Sequence, residues 1–240
     1  MRDGQGLGVQ LRSLGTAAEV AACDSAEAGD AGALVSSTSP SGVLHAAGAA
    51  DKGLLAELEP QMLRWMYAPK ATGAWLMHVA SAMAPLEACV LFSSVGSALG
   101  NIGQANYAAG NACLDTHALS RRGCAVAACS MQWPLVGGAG MGAAAFDAMG
   151  ERQAAIAGFA GILLDEYAAC LSAQLAACVG VGGSVQLVHR SDVREVLRDL
   201  ADASQARFGE LKDAAMMSVR VMSATSTTAS GLAQLSLIHI

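Results

Sequence analysis

The sequence predicts an α/β chain built on a parallel sheet with helices on both faces, and three observations carry that reading. Short uncharged apolar runs alternate with longer stretches at helical spacing, the order that builds a doubly wound parallel sheet with right-handed crossovers. Two of those runs, Ala88–Phe92 and Ala125–Met131, are almost continuously apolar, as strands covered on both faces are. A chain of 240 residues with 53% hydrophobic and only 14% charged residues can bury a substantial core and does not have the composition of a disordered chain.

Taken in order, Glu19–Asp24 reads as a strand ending on an acid, and Gly42–Gly48 as a strand running into a small-residue turn. From Glu59 to Ala84, Met62, Trp65, Met66, Ala74, Leu76, Met77 and Val79 recur at helical spacing, with Pro69 and Gly73 marking a kink or break. The Ala88–Phe92 strand runs straight into Ser93-Ser94. Gly103–Arg122 reads as a long helix of small residues, followed by the Ala125–Met131 strand. Gly137, Gly138, Gly140, Gly142 and Gly150, set among alanines, predict a loop or lid. A helix over Asp165–Cys178 and a strand over Ser184–Val188 follow. Beyond Arg190 a polar amphipathic helix, Ser191–Asp213, leads into a Ser/Thr/Ala-rich stretch that reads as linker. The terminal Leu235–Ile240 resembles translated adaptor sequence rather than part of the fold.

Composition excludes several classes of function. The net charge is −6, and the 14 Lys and Arg form no basic run, so nucleic acid is not an expected partner. The uncharged apolar stretch Gln153–Leu164 is far shorter than the roughly 20 residues of a bilayer span. The N-terminus lacks the apolar core of a secretory signal. The seven cysteines include no CxxC pair and no zinc-ligand spacing, so they read as reduced thiols and no metal site is expected.

In an open α/β sheet, ligands bind outside the carboxyl ends of the strands. The residues just past the apolar runs are therefore the candidates: Asp24, His45 to Gly48, Ser93-Ser94 and Gln132-Trp133-Pro134. Tyr107 and Asn111 are one helical turn apart and share a face.

Four segments, Pro69-Lys70, Phe92-Ser93-Ser94-Val95, Gly103 to Asn111 and His45-Ala46-Ala47-Gly48, together closely resemble the ketoreductase domain of type I polyketide synthases, in the short-chain dehydrogenase/reductase superfamily. The order and spacing hold over about Arg2 to Val188. Most of the superfamily carries Tyr-x-x-x-Lys, whereas the polyketide and fatty acid synthase branch has Tyr-x-x-x-Asn with its Lys upstream, as here. The resemblance implies a Rossmann-like doubly wound parallel sheet and NADPH-dependent reduction of a β-ketoacyl thioester carried on the phosphopantetheine of an acyl carrier protein domain. Other synthase domains would be further partners, and the location cytoplasmic, with organellar targeting left open. It makes Tyr107 the general acid, Ser94 its partner on the substrate carbonyl, and Lys70 and Asn111 the supporting pair. An ammonium beside a phenol favours the phenolate, and two hydroxyls stabilise the charge growing on the carbonyl oxygen. By the same resemblance Asp24 meets the adenine edge, the backbone and small side chains of His45, Ala46, Ala47 and Gly48 approach the nicotinamide, and Arg2 matches the residue that meets the 2′-phosphate. Ser130–Leu135 is a degenerate form of the family's Asn-Trp-Gly-Pro-Trp segment. Two alternatives stay open, a ketoreductase of a multidomain fatty acid synthase and a non-catalytic reductase-like subdomain.

The chain departs from the family at its start, where the first β-α-β elements and their glycine-rich phosphate turn are lacking; Gly4-Gln5-Gly6-Leu7-Gly8 follows no strand. Residues 1–190 thus read as a partial catalytic domain, and residues 191–240 as a helix and tail leading toward a carrier domain. The family's Leu-Asp-Asp stereochemical marker aligns with Ala50-Asp51-Lys52 and keeps only Asp51, while the Trp of the opposite hand falls on Leu99, so product stereochemistry is not legible beyond a lean toward the Asp-marked type. Without donors for the cofactor pyrophosphate, this chain by itself is expected to bind NADPH weakly or not at all; a fluorescence titration showing tight binding overturns that expectation.

Overall fold

A computed structural model describes residues 21–50, 53–84, 86–100, 103–138 and 161–178 continuously, the strands at 185–189 and 236–239, and isolated positions elsewhere. Arg2, the Gly4–Gly8 stretch, Asp51, Lys52, residues 139–150 and most of 191–235 lie outside the described residues.

Helix α1 (Ala28–Thr38) precedes strand β1 (Gly42–His45). The predicted Glu19–Asp24 strand does not form: its described residues are irregular, and Asp24 instead turns the chain into α1. Its carboxylate accepts from the Ala26 amide at 2.9 Å and its own amide donates to Asp30 at 2.9 Å, an Asx turn that competes with extended pairing.

After β1 the chain forms α2 (Pro60–Tyr67), a π-helical turn (Ala68–Thr72) and α3 (Gly73–Ala80). The expected kink at Pro69 and Gly73 is a widening of the helix rather than a break. Proline has no N–H to offer the carbonyl four residues back, and its ring crowds that carbonyl. The Gly73 amide reaches back five residues to the Ala68 carbonyl. Strand β2 (Ala88–Ser94), α4 (Val95–Leu99), α5 (Ala105–Gly123), β3 (Cys129–Trp133), α6 (Leu164–Cys178) and β4 (Val185–His189) complete the α/β succession.

The sheet order is β1-β2-β3-β4, all parallel. A last strand, β5 (Ser236–His239), pairs antiparallel with β4, so residues that read as adaptor sequence outside the fold extend the sheet. Period-2 alternation divides β2 and β3 between two cores. Val90, Met131 and Trp133 face α6, packing with Ile162 and Cys170. Cys89 and Leu91 face α3 and α5, packing with Ala74, Leu114 and Ala118. Both faces are covered, as expected. Because the strands advance in one direction while α6 lies on the face opposite α3 and α5, the β3–α6–β4 connection has the opposite hand to the two before it, which corrects the expectation of uniform crossovers.

Strand β3 begins four residues later than predicted. The C-terminus of α5 uses the intervening residues as its cap: the Cys124 amide donates to Ser120 and Arg121 carbonyls, Ala125 to Arg122 and Val126 to Arg121. Closing that cap puts Ala125 at φ 57°, a left-handed conformation that glycine adopts freely and alanine resists by roughly 1 kcal/mol. Ala125→Gly is therefore expected to stabilise the fold by about 0.5–1 kcal/mol, read as a higher denaturant midpoint with an unchanged m-value.

Candidate active site

The candidate residues converge at the carboxyl edge of β1 and β2 and on the first turns of α5. Lys70 leaves the π turn and is 3% exposed. Its Nζ donates to the Phe92 carbonyl on β2 at 3.4 Å and stands 5.4 Å from the centroid of the Tyr107 ring, within cation–π range. Burial pulls the Lys70 pKa down to about 8, against the opposing pull of the Asp115 carboxylate. At neutral pH the group is still mostly charged.

Asn111 is fully buried one turn below Tyr107 and donates its Nδ2 to the Tyr107 carbonyl at 2.9 Å. A carbonyl only accepts, so the amide orientation is fixed and Oδ1 is left as a buried acceptor without a partner in the structure. Ser94 ends β2 and caps α4, its Oγ accepting from the Gly96 amide at 3.2 Å. Its neighbour Ser93 donates to the Asn111 carbonyl at 3.3 Å, which ties the strand end to α5.

One functional position escaped the sequence reading. Asp115 lies one turn beyond Asn111, on the same stripe as Tyr107, and its carboxylate gathers three side chains. Ser97 lies 2.6 Å and Gln132 2.8 Å from Oδ2, and Ser130 is 2.6 Å from Oδ1. Ser97 also reaches the Ser94 carbonyl at 2.8 Å, so Asp115 links α5, β3 and the turn that carries Ser94. The four-residue spacing 107, 111, 115 was the available signal; the polar alternation of Ser130 and Gln132 within an otherwise apolar strand was the second.

The cofactor-side candidates divide. Ala46 and Gly48 are exposed and Ala47 half-buried just past β1. The His45 side chain turns inward, 5% exposed, with Nε2 2.9 Å from the Pro69 carbonyl. Asp24 is exposed at its turn. Trp133 is buried in the α6-side core, its ring 4.3 Å from that of Tyr167, which turns the side chain away from the Tyr107 face of the sheet. Among the described residues no cluster of His, Cys, Asp or Glu could hold a metal ion, and no helix is long and apolar enough to cross a membrane.

This arrangement has relatives. A sequence profile for the KR domain matches residues 2–138. The chain belongs to the KR domain family. A spectinabilin polyketide synthase protein, NorB of Streptomyces orinoci, is 39% identical over 173 residues, covering 70% of this chain and 8% of that protein. The polyketide synthase GfsA of Streptomyces halstedii is 44% identical over 131 residues, covering 52% and 2%. The first ketoreductase of the tylosin polyketide synthase superposes with a TM-score of 0.68 at 31% identity, over 86% of this chain and 46% of that one. The KR domain described here thus spans a small part of the synthases and less than half of that ketoreductase. Both of these relatives are polyketide synthases. Members of the family use nicotinamide cofactors.

In this KR domain Asp115 is the group that raises the Lys70 pKa against burial, so its removal has a definite sign. Asp115→Asn is expected to lower the titration midpoint of Lys70 below about 8, as measured by NMR of lysine-labelled protein, in which Lys52, Lys70 and Lys212 are the only side chains reporting.

Proposed function

We propose that the polypeptide bearing this domain reduces a β-ketoacyl thioester to the β-hydroxyacyl thioester during polyketide assembly. The observation that carries the reading is a buried lysine aimed at Tyr107, with Asn111 one turn beneath and Ser94 ending the adjacent strand. An ammonium at this depth is costly for a purely structural purpose, because the Asp115 carboxylate offsets only part of the burial that disfavours the charge. Beside a phenol that exchanges a proton, it has chemical work.

The carboxyl edge suits NADPH in one respect visible here. Past β1 the chain presents Ala46, Ala47 and Gly48, with no side chain larger than a methyl, so a flat ring can approach the backbone. Arg2, as the 2′-phosphate contact, and Asp24, at the adenine edge, complete the cofactor reading by resemblance. When bound, NADPH supplies the hydride. Ser94 and Tyr107 donate hydrogen bonds to the carbonyl oxygen as negative charge develops on it, and Tyr107 delivers the proton. Lys70 favours the phenolate that remains. Asn111, with an acceptor turned into the buried space, holds the path along which that proton is replaced. The substrate arrives on the phosphopantetheine arm of an acyl carrier domain; that the relatives are synthases of which this chain spans a small part supports this reading.

In the longer polypeptide bearing this domain, Tyr107→Phe is expected to lower kcat for NADPH-dependent reduction of a β-ketoacyl thioester analogue by roughly 10²–10⁴-fold, the usual contribution of a positioned general acid, with the fold unchanged by circular dichroism. A Phe variant that reduces at the native rate moves the proton donor elsewhere. A folded, cofactor-binding protein without turnover returns the reading to a non-catalytic reductase-like subdomain.

A further inference from the structure

His45 has a geometry that the reaction chemistry does not use. It closes β1 at the carboxyl edge, yet its imidazole points away from solvent and meets the carbonyl of Pro69, the residue before Lys70, at 2.9 Å. A carbonyl can only accept, so Nε2 carries the hydrogen when it makes this bond. Burial, the largest influence, and the nearby Lys70 charge both lower its pKa, while bonds to the Pro69 and Lys70 backbone raise it.

The Pro69 carbonyl is special because of the π turn. In an α-helix the Gly73 amide would donate to it; here that amide is turned to the Ala68 and Lys70 carbonyls. His45 supplies a donor to a carbonyl that has lost its α-helical one. The ring reaches it because residue 73 has no side chain: a Cβ there would lie 3.2 Å from His45 Cε1 and 2.6 Å from Ser25 Oγ. The contact sits one residue from Lys70, whose ammonium then crosses to Phe92 and Tyr107.

We propose that His45 is the positioning residue for Lys70: its Nε2–H fixes the Pro69 carbonyl and thereby the π-helical turn that aims the ammonium at Tyr107. The strand end that faces the cofactor side is thus bonded directly to the turn that places the lysine. The proposal rests on the reading of Lys70 as part of the reducing site, and its main test does not need turnover.

Glutamine places its amide nitrogen where imidazole has Nε2, whereas asparagine reproduces Nδ1 and stops short. In the full chain labelled at lysine, His45→Gln is expected to leave the Lys70 titration at its native midpoint. His45→Asn is expected to raise it by about one unit or more, toward the ordinary lysine value, as the side chain leaves its buried position. In the reductase assay kcat falls roughly tenfold or more for His45→Asn at unchanged KM, and His45→Gln restores it. His45→Phe, which keeps the ring volume without a donor, takes the place of His45→Asn if the shorter amide does not fold. Equal behaviour of the donor-bearing and donor-lacking variants, whether both native-like or both impaired, overturns the proposal. If the native protein reduces no thioester, the lysine titration still decides the role of His45, and only the ketoreductase reading falls.

Discussion

An ammonium group held at 3% exposure sets the terms for the rest of this site. Removing a cation from water is unfavourable unless dipoles, rings and opposite charge replace its hydration. Around Lys70 those are the Phe92 carbonyl, the face of Tyr107 and the field of Asp115. Each comes from a different place in the chain, a strand end, the first turn of α5 and its third turn. The position of the lysine is therefore a condition on how the sheet and helix meet.

That condition explains why the two sides of the sheet differ. Toward α6, β2 and β3 present Val90, Met131 and Trp133, and the packing is apolar. Toward α5 the same β3 presents Ser130 and Gln132, both spent on the Asp115 carboxylate. The half-buried Asp115 carboxylate accepts from three side chains and offsets part of the burial cost of Lys70. The Ser97 hydroxyl shares in that cluster and reaches the Ser94 carbonyl, so the electrostatic support of the lysine and the placement of the serine belong to one network.

The local rules were readable where one residue type settles the backbone. Pro69 interrupts helical hydrogen bonding wherever it sits, and the apolar run before Ser93 has few alternatives to a covered strand. They were not readable where a local competitor took over. Asp24 spends itself on a turn, and the end of α5 consumes Cys124, Ala125 and Val126 as a cap, although their apolar character is that of a strand. In both cases short-range hydrogen bonds win because they close few residues of chain and cost little entropy. The terminal strand shows the converse: it forms by pairing with β4, and no feature of its own sequence marks that partner.

By itself the sequence determined the α/β class, the succession of strands and helices and the carboxyl edge as the place for chemistry, which are properties of periodicity and survive in one dimension; its resemblance to a family singled out Lys70, Ser94, Tyr107 and Asn111 as candidates. The tertiary structure decided that Lys70 is buried and shares its surroundings with Asp115, that the His45 side chain turns inward to the Pro69 carbonyl, that Trp133 belongs to the core, and that the last connection reverses its hand. Each of these depends on which face of an element meets which neighbour. A hydrogen bond between residues 45 and 69, or an electrostatic pairing of residues 70 and 115, exists only after the sheet and helices have packed, because no local preference brings such distant groups together.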